Sequence, residues 1–357
     1  MQKSIEVEYW VVDRNGALTT PGALAEVSEY TEEEFVEPLF ELKTPPCETY
    51  AELRTTFVDQ LDEVLSRADE LDKSLVPLGT PIGAESIERR TGERGRIQSR
   101  VLGANFEYAR HCAGTHLHFE KRNVTDQLNA LVGLDPALAL LSSSPYFRGE
   151  RIANGARAYL YRKKCYEHFP GHGQLWDYVH TVAEWERRLE RRFEEFKAAA
   201  VEAGVDGDRV DDHFSPDDVV WTPVRLRDTM PTVEWRAPDA TLPSQILRLA
   251  EEMDAVMEQL HQTNVSVEGS EGGVGSDGVT LPEFETVLDY TEQAMHVGLE
   301  SGDVATYLER MGFGVQGYDP LTRRIDGRQC VSPSEARELR LRYGELLRSD
   351  VNDLLRN

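Results

Sequence analysis

Five short segments of this 357-residue chain carry side chains whose type and spacing could do chemistry. Glu6 and Glu8 stand two apart in SIEVEYW, so in a strand they share one face, with Ile5, Val7 and Tyr9 on the other. Adjacent carboxylates repel unless a cation lies between them, and an oxygen-rich site of this kind suits Mg²⁺. The solvated outer face of an edge strand is the other reading. Glu41 ends a strand-like run beside Lys43 and by itself reads as a surface residue. In GTHLHFE, His116, His118 and Glu120 alternate onto one strand face. An H-x-H pair can ligate a metal, donate to phosphate, or simply occupy a polar face. Glu234 and Arg236 share a face in PTVEWRAPD, with Trp235 opposite. A carboxylate and a guanidinium side by side can hold a metal and a triphosphate together, or form a cross-strand ion pair. Finally, residues 142–162 place Arg148, Arg151, Arg157 and Arg162 in a Gly-interrupted stretch. A basic island in an acidic chain points to a bound anion, such as ATP phosphates or a substrate carboxylate, against the alternative of ordinary exposed arginines.

These segments need a scaffold, and the hydrophobic pattern supplies one. Residues 4–13 alternate as a strand and end in the turn Arg14-Asn15-Gly16. A second strand runs from Phe35 to Thr44, stopped by Pro45-Pro46; 75–81, 113–121 and two runs within 219–237 read as further strands. Leu53, Phe57, Leu61, Val64, Leu65, Ala68 and Leu71 give 48–74 a helical period, and similar patterns cover 123–142, 174–204, 243–263, 282–302, 303–311 and 333–355. Gly133 and Pro136 divide the second of these. Strands in scattered pairs with helices between them predict an α+β fold, a mainly antiparallel sheet with helices on one side. Residues 266–279, rich in Gly and Ser, predict a flexible loop within one domain spanning 1–357.

Composition narrows the function. Net charge is −25 with a pI near 4.8, which argues against nucleic acid as the main partner. Only 7 of the 39 basic residues are Lys; abundant Asp and Glu with few Lys is the composition of salt-accumulating halophilic archaea, where molar salt shortens the Debye length to about 3 Å and screens self-repulsion. No apolar run is long enough for a membrane span, and the N-terminus lacks the apolar stretch of a signal peptide, so a cytoplasmic location is expected. Cys47, Cys112, Cys165 and Cys330 are widely spaced, which predicts reduced structural thiols. No GxxxxGK[ST] loop, protein-kinase signature, HExxH or GxSxG is present, and the only Rossmann-like glycines lie in the acidic loop.

In this order, SIEVEYW, ELKTPP, GTHLHFE, SSSPYFRGERIANGARAYLYR and TVEWRAPD resemble the carboxylate–amine ligase family that includes type 2 glutamate–cysteine ligases. The resemblance spans roughly residues 4–310. It implies a glutamine synthetase-like fold, a curved antiparallel sheet whose concave face holds ATP and Mg²⁺. Carried over, Glu6, Glu8, Glu41, His118 and Glu234 would ligate metal. Arg236 would contact phosphates and, with Glu8 and Glu234, form the catalytic set. His116, Arg157 and Arg162 would contact phosphate or the glutamate carboxylate. The implied substrates are ATP, glutamate and cysteine, joined through an acyl phosphate; a ligase of the same fold with another amine, or a guanidino kinase-like phosphotransferase, is the alternative. The chain departs from the family pattern at Ser4, where Gly is usual, and at Glu120, where an aliphatic residue is commoner.

Overall fold

Alternation along the first strand sets the architecture. In β1 (Lys3–Asp13), Ile5, Val7, Tyr9 and Val11 are wholly buried on one face, and Ser4, Glu6 and Glu8 lie on the other. The computed structural model describes residues 1–83, 86–90, 92–228, 230–276, 278–325 and 327–356. Around β1 it builds a seven-stranded sheet from β2 (Thr31–Glu33), β3 (Leu39–Lys43), β4 (Lys73–Val76), β5 (Thr115–Glu120), β6 (Val224–Leu226) and β7 (Thr232–Trp235). The order is β2-β3-β1-β5-β7-β6, with β4 pairing the far half of β1, and every pairing in it is antiparallel.

The apolar face is covered by three helices that also touch one another: α1 (Tyr50–Glu70), the helix Pro243–Gln259 and the helix Pro333–Arg356. Leu53, Phe57, Leu61, Val64, Leu65 and Ala68 form the buried stripe of α1, as their spacing predicts. The helix starts where the Thr49 hydroxyl accepts from the Glu52 N–H at 3.1 Å.

The polar face is roofed differently. There α2 (Glu93–Leu102), a turn at Phe106–Ala109, and the helix Ala156–Tyr159 continuing into a π-helical turn Leu160–Cys165 contribute to a second, smaller core. Its members Leu102, Phe106, Ala109, Cys165 and Tyr166 pack with Phe35, Tyr161 and Trp221. Tyr161 and Trp221 stack with centroids 5.6 Å apart.

Two expectations change. The helix expected over 174–204 begins only at Val182, because the Thr181 hydroxyl caps it and Val179 is held extended by Asn129, which both donates to and accepts from its backbone. The Gly/Ser segment holds strands: Asn264–Val267 runs parallel to Gly278–Leu281, which pairs antiparallel with Gly273–Gly275; residue 277 lies outside the described residues. All four cysteines are free thiols, three of them buried. Among the described residues no helix is long and apolar enough to cross a membrane.

Candidate active site

Strand register aligns the charged residues in three rows. Glu32, Glu41 and Glu8 pair across β2, β3 and β1; Lys43, Glu6 and His116 across β3, β1 and β5; His118, Glu234 and Arg225 across β5, β7 and β6. Directly paired residues share a sheet face, so all nine side chains project to one side. All of them but His118 floor a cavity of about 490 Å³, roofed by Phe35, Arg89, Arg90, Arg94, Tyr161 and Trp221. His118 is fully buried and does not line it.

Glu6 is the hub of the floor. Its Oε2 lies 3.1 Å from His116 Nδ1 and 3.4 Å from His118 Nε2. Glu234 Oε1 is 3.5 Å from both His116 Nδ1 and Arg236 Nε, while Arg227 donates to Glu234 Oε2 at 3.2 Å. Three sets of donor atoms lie within 4.8 Å of one another: Glu6, Glu41 and His116; Glu6, His118 and Glu234; and Glu8, Glu34 and Glu41. Thus Glu6, Glu8, Glu41, His118 and Glu234 converge, and Glu34 and His116 join them.

Charge is uneven across this floor. Burial first, and the Glu34 charge second, push the Glu8 carboxyl up to about 7. Burial, with Glu34 and Glu6 behind it, drives Glu41 well above the carboxylate range, and burial also raises Glu34. Glu6 and Glu234 go the other way. Burial opposes their charge, but the His116 bond and the neighbouring His118 outweigh it at Glu6, and Arg236 together with His118, Arg225 and His116 does so at Glu234. Burial and then Arg236 push His116 down to about 4, so its imidazole is neutral at pH 7. Three buried polar atoms in this cluster make no hydrogen bond: His116 Nε2, His118 Nε2 and Glu234 Oε1. Orphaned acceptors beside crowded carboxylates, all oxygen and imidazole nitrogen, fit a hard divalent cation.

The cationic wall begins in the same sheet, at Arg225, and continues into the covering helix at Arg157. Arg157 and Arg225 are 7% and 8% exposed and form no ion pair with a carboxylate among the described residues. Arg157 Nη1 donates to the carbonyls of Arg236 and Ala237, at 3.2 and 3.0 Å, and Arg225 Nη2 to that of Asp217. The Nε of each makes no hydrogen bond. A buried guanidinium with no carboxylate at ion-pair distance is costly, and an anion in the cavity would relieve both. Gly114 makes room for one of them: a Cβ there would fall 2.1 Å from Arg157 Nη2. The Gly114 N–H also donates to Glu8 Oε2 at 2.6 Å, so this one glycine positions both walls.

Arg162 is the departure. Its guanidinium forms a buried bidentate pair with Asp135, at 2.5 and 3.0 Å, and Trp235 Nε1 donates to the same carboxylate at 3.2 Å. It anchors the back of β7 and does not line the cavity. Arg148 pairs with Glu107, and Arg151 lies in a small hairpin with Tyr146; neither reaches the cavity. Sequence reasoning missed Glu34, Arg225 and Arg227, although Arg225 and Arg227 lie two apart in VRLR, the spacing that flagged the other residues. It also missed Arg89, Arg90 and Arg94, which carry no such pattern.

An open antiparallel sheet places a carboxylate–imidazole cage that could hold cations beside Arg157 and Arg225, which have no ion-pair partner among the described residues. The family model for glutamate-cysteine ligase family 2 matches residues 5–271, and the chain belongs to that family. Membership supports ATP-dependent carboxylate–amine ligation as the class of reaction. Among solved structures, the chain is similar to a bifunctional glutathione synthetase from Pasteurella multocida, with TM-score 0.59 and 16% identity over 98% of this chain and 52% of that one. It therefore spans about half the length of that protein, and the likeness is one of fold. It is also similar to a glutamate–cysteine ligase from Francisella tularensis in complex with AMP (TM-score 0.46, 11% identity, 99% and 91% covered) and to a novel glutamine synthase homolog (0.38, 12%, 97% and 70%). No curated protein matches the chain. The architecture is the α+β one, built on an antiparallel sheet, expected from the sequence.

Proposed function

We propose that this chain is a glutamate–cysteine ligase that consumes ATP. The supporting observation is the cavity's two-sided charge: a cage of buried carboxylates and neutral imidazole beside Arg157 and Arg225, two buried guanidiniums with no carboxylate at ion-pair distance among the described residues. The γ-carboxylate oxygen of glutamate attacks the γ-phosphorus of ATP, the bond to ADP breaks, and an acyl phosphate results. The cysteine amine then attacks the acyl carbon and expels phosphate. Mg²⁺, held by Glu6, Glu8, Glu41, His118 and Glu234 with Glu34 and His116 beside them, would neutralise the polyphosphate so that a carboxylate can approach it.

The protein's own groups do the rest. Arg236 reaches the cavity beside Glu234, and with Arg157 and Arg225 it spreads the phosphate charge. The aromatic roof of Phe35, Tyr161 and Trp221 keeps water from the acyl phosphate. No protein nucleophile is needed: the one cavity thiol, Cys112, is buried and its pKa is driven far up by burial. The test is incubation with ATP, Mg²⁺, glutamate and cysteine at molar salt, reading phosphate and γ-glutamylcysteine together. Equal yields are expected. ADP formed without free phosphate would point to a phosphotransferase, and phosphate released equally with another amine to a different acceptor.

A further inference from the structure

His118 is wholly buried, and its two ring nitrogens meet different partners. Nδ1 lies 3.1 Å from the Thr232 hydroxyl oxygen, on the neighbouring strand β7. That hydroxyl donates its single proton to the Met230 carbonyl, 3.2 Å away. With its proton there, the hydroxyl oxygen is free to accept from an Nδ1–H. Nε2 then carries a lone pair. It makes no hydrogen bond and faces Glu6 Oε2 at 3.4 Å, an oxygen that already accepts from His116 Nδ1 at 3.1 Å. The opposite tautomer would turn Nε2–H toward Glu6 Oε2 at 3.4 Å, farther than the His116 nitrogen that already donates to that oxygen.

We infer that Thr232 is a positioning residue, which fixes the Nδ1–H tautomer of His118 so that the Nε2 lone pair is presented to a divalent cation shared with Glu6 and Glu234. The inference rests on the cation site proposed above and goes beyond it, because Thr232 touches neither cation nor substrate. Outer partners that orient an imidazole ligand commonly change metal affinity by about ten- to a hundredfold when removed. Thr232→Val keeps the shape and β-branching of the side chain and removes only the oxygen.

The experiment uses Mn²⁺ alone as the probe, titrated by electron paramagnetic resonance, together with imidazole ¹⁵N shifts of the cation-free protein. The wild type should show His118 protonated at Nδ1. Thr232→Val should weaken Mn²⁺ binding about ten- to a hundredfold, and Thr232→Ser should restore it. If the wild type binds Mn²⁺ and Thr232→Val binds it equally well, Thr232 has no such role while the cation site stands. A wild type that binds no Mn²⁺ overturns the site and this inference together. A wild-type His118 protonated at Nε2 overturns the inference whether or not the valine variant folds.

Discussion

Most carboxylates and the imidazoles of the cavity come from β1, β2, β3, β5 and β7, where pairing fixes each against its neighbour, and Glu34 follows directly on β2. The guanidiniums come from mixed supports: Arg225 on β6, Arg227 and Arg236 just beyond strand ends, Arg157 on a short helix, and Arg89, Arg90 and Arg94 on or just before α2. The acidic wall is thus rigid and self-crowded, three of its carboxyls raised by burial. The cationic wall is partly borne by the roof, tied down by such contacts as Arg90 to the Glu34 carbonyl at 3.0 Å and Arg94 to Asp218. A rigid floor suits ions whose geometry must be fixed; an adaptable roof suits a flexible polyphosphate that enters and leaves.

The largest effect should come from the floor. Glu234→Gln or Glu8→Gln removes a charge that the cation needs, and turnover should fall by about 10³-fold, equivalent to several kcal/mol of transition-state stabilisation. Circular dichroism and thermal melting should show the fold intact. Either variant turning over near the wild-type rate at saturating Mg²⁺ would break the division of labour between the walls.

The cationic wall predicts an opposite pairing of stability and function. Burial first, and Arg236 second, push the Arg225 guanidinium down to about 10, a sign that its charge is poorly compensated by the protein alone. Arg225→Met should therefore leave the ligand-free protein as stable as wild type or more so, by up to about 4 kcal/mol. It should also abolish most of the thermal stabilisation that ATP confers. A variant that melts lower without ligand yet retains the ATP-induced shift would show that Arg225 is structural.

The floor was readable in the sequence because β-strand alternation converts spacing into geometry: Glu6 with Glu8, His116 with His118, and Glu234 with Arg236 each stand two apart. Their convergence was not readable, since it depends on register between strands more than 100 residues apart in the chain, as for His118 and Glu234. The cationic wall defeated local reasoning. Arg162 looked like its neighbour Arg157, but the π-helical turn starting at Leu160 directs it to Asp135 on the other side of β7. Residues 93–102 carry too few apolar side chains to announce a helix, so Arg94 went unnoticed. The apolar stripe of α1 followed from pattern alone; the order of the sheet strands and the aromatic roof, assembled from Phe35, Phe106, Tyr161 and Trp221, did not.

Salt separates surface from cavity. At net charge −25 the exterior repels itself, and dilute buffer lengthens the Debye length from about 3 Å to 10 Å or more. Melting temperature and activity should both rise toward molar KCl. Full activity in dilute buffer would remove the halophilic reading of the composition without touching the site.

The smallest effect tests how the cationic wall is backed. Asp239 is buried behind Arg157, and its Oδ2 accepts from the Ser143 N–H and hydroxyl at 2.9 and 3.2 Å. Burial outweighs these partners and Arg157, and raises its carboxyl from 3.8 to about 6. Between those two values the folded protein holds this proton more tightly than the unfolded chain does. The stability it contributes is therefore complete below about 3.8 and is lost as pH rises through about 6. Asp239→Asn removes that proton from the balance while keeping one acceptor for Ser143, so melting temperature measured from pH 4 to 7 should slope less steeply downward with pH than in the wild type. An unchanged slope would mean that Arg157 compensates the Asp239 charge fully. In that case Arg157 is not the uncompensated cation that the comparison of the two walls requires.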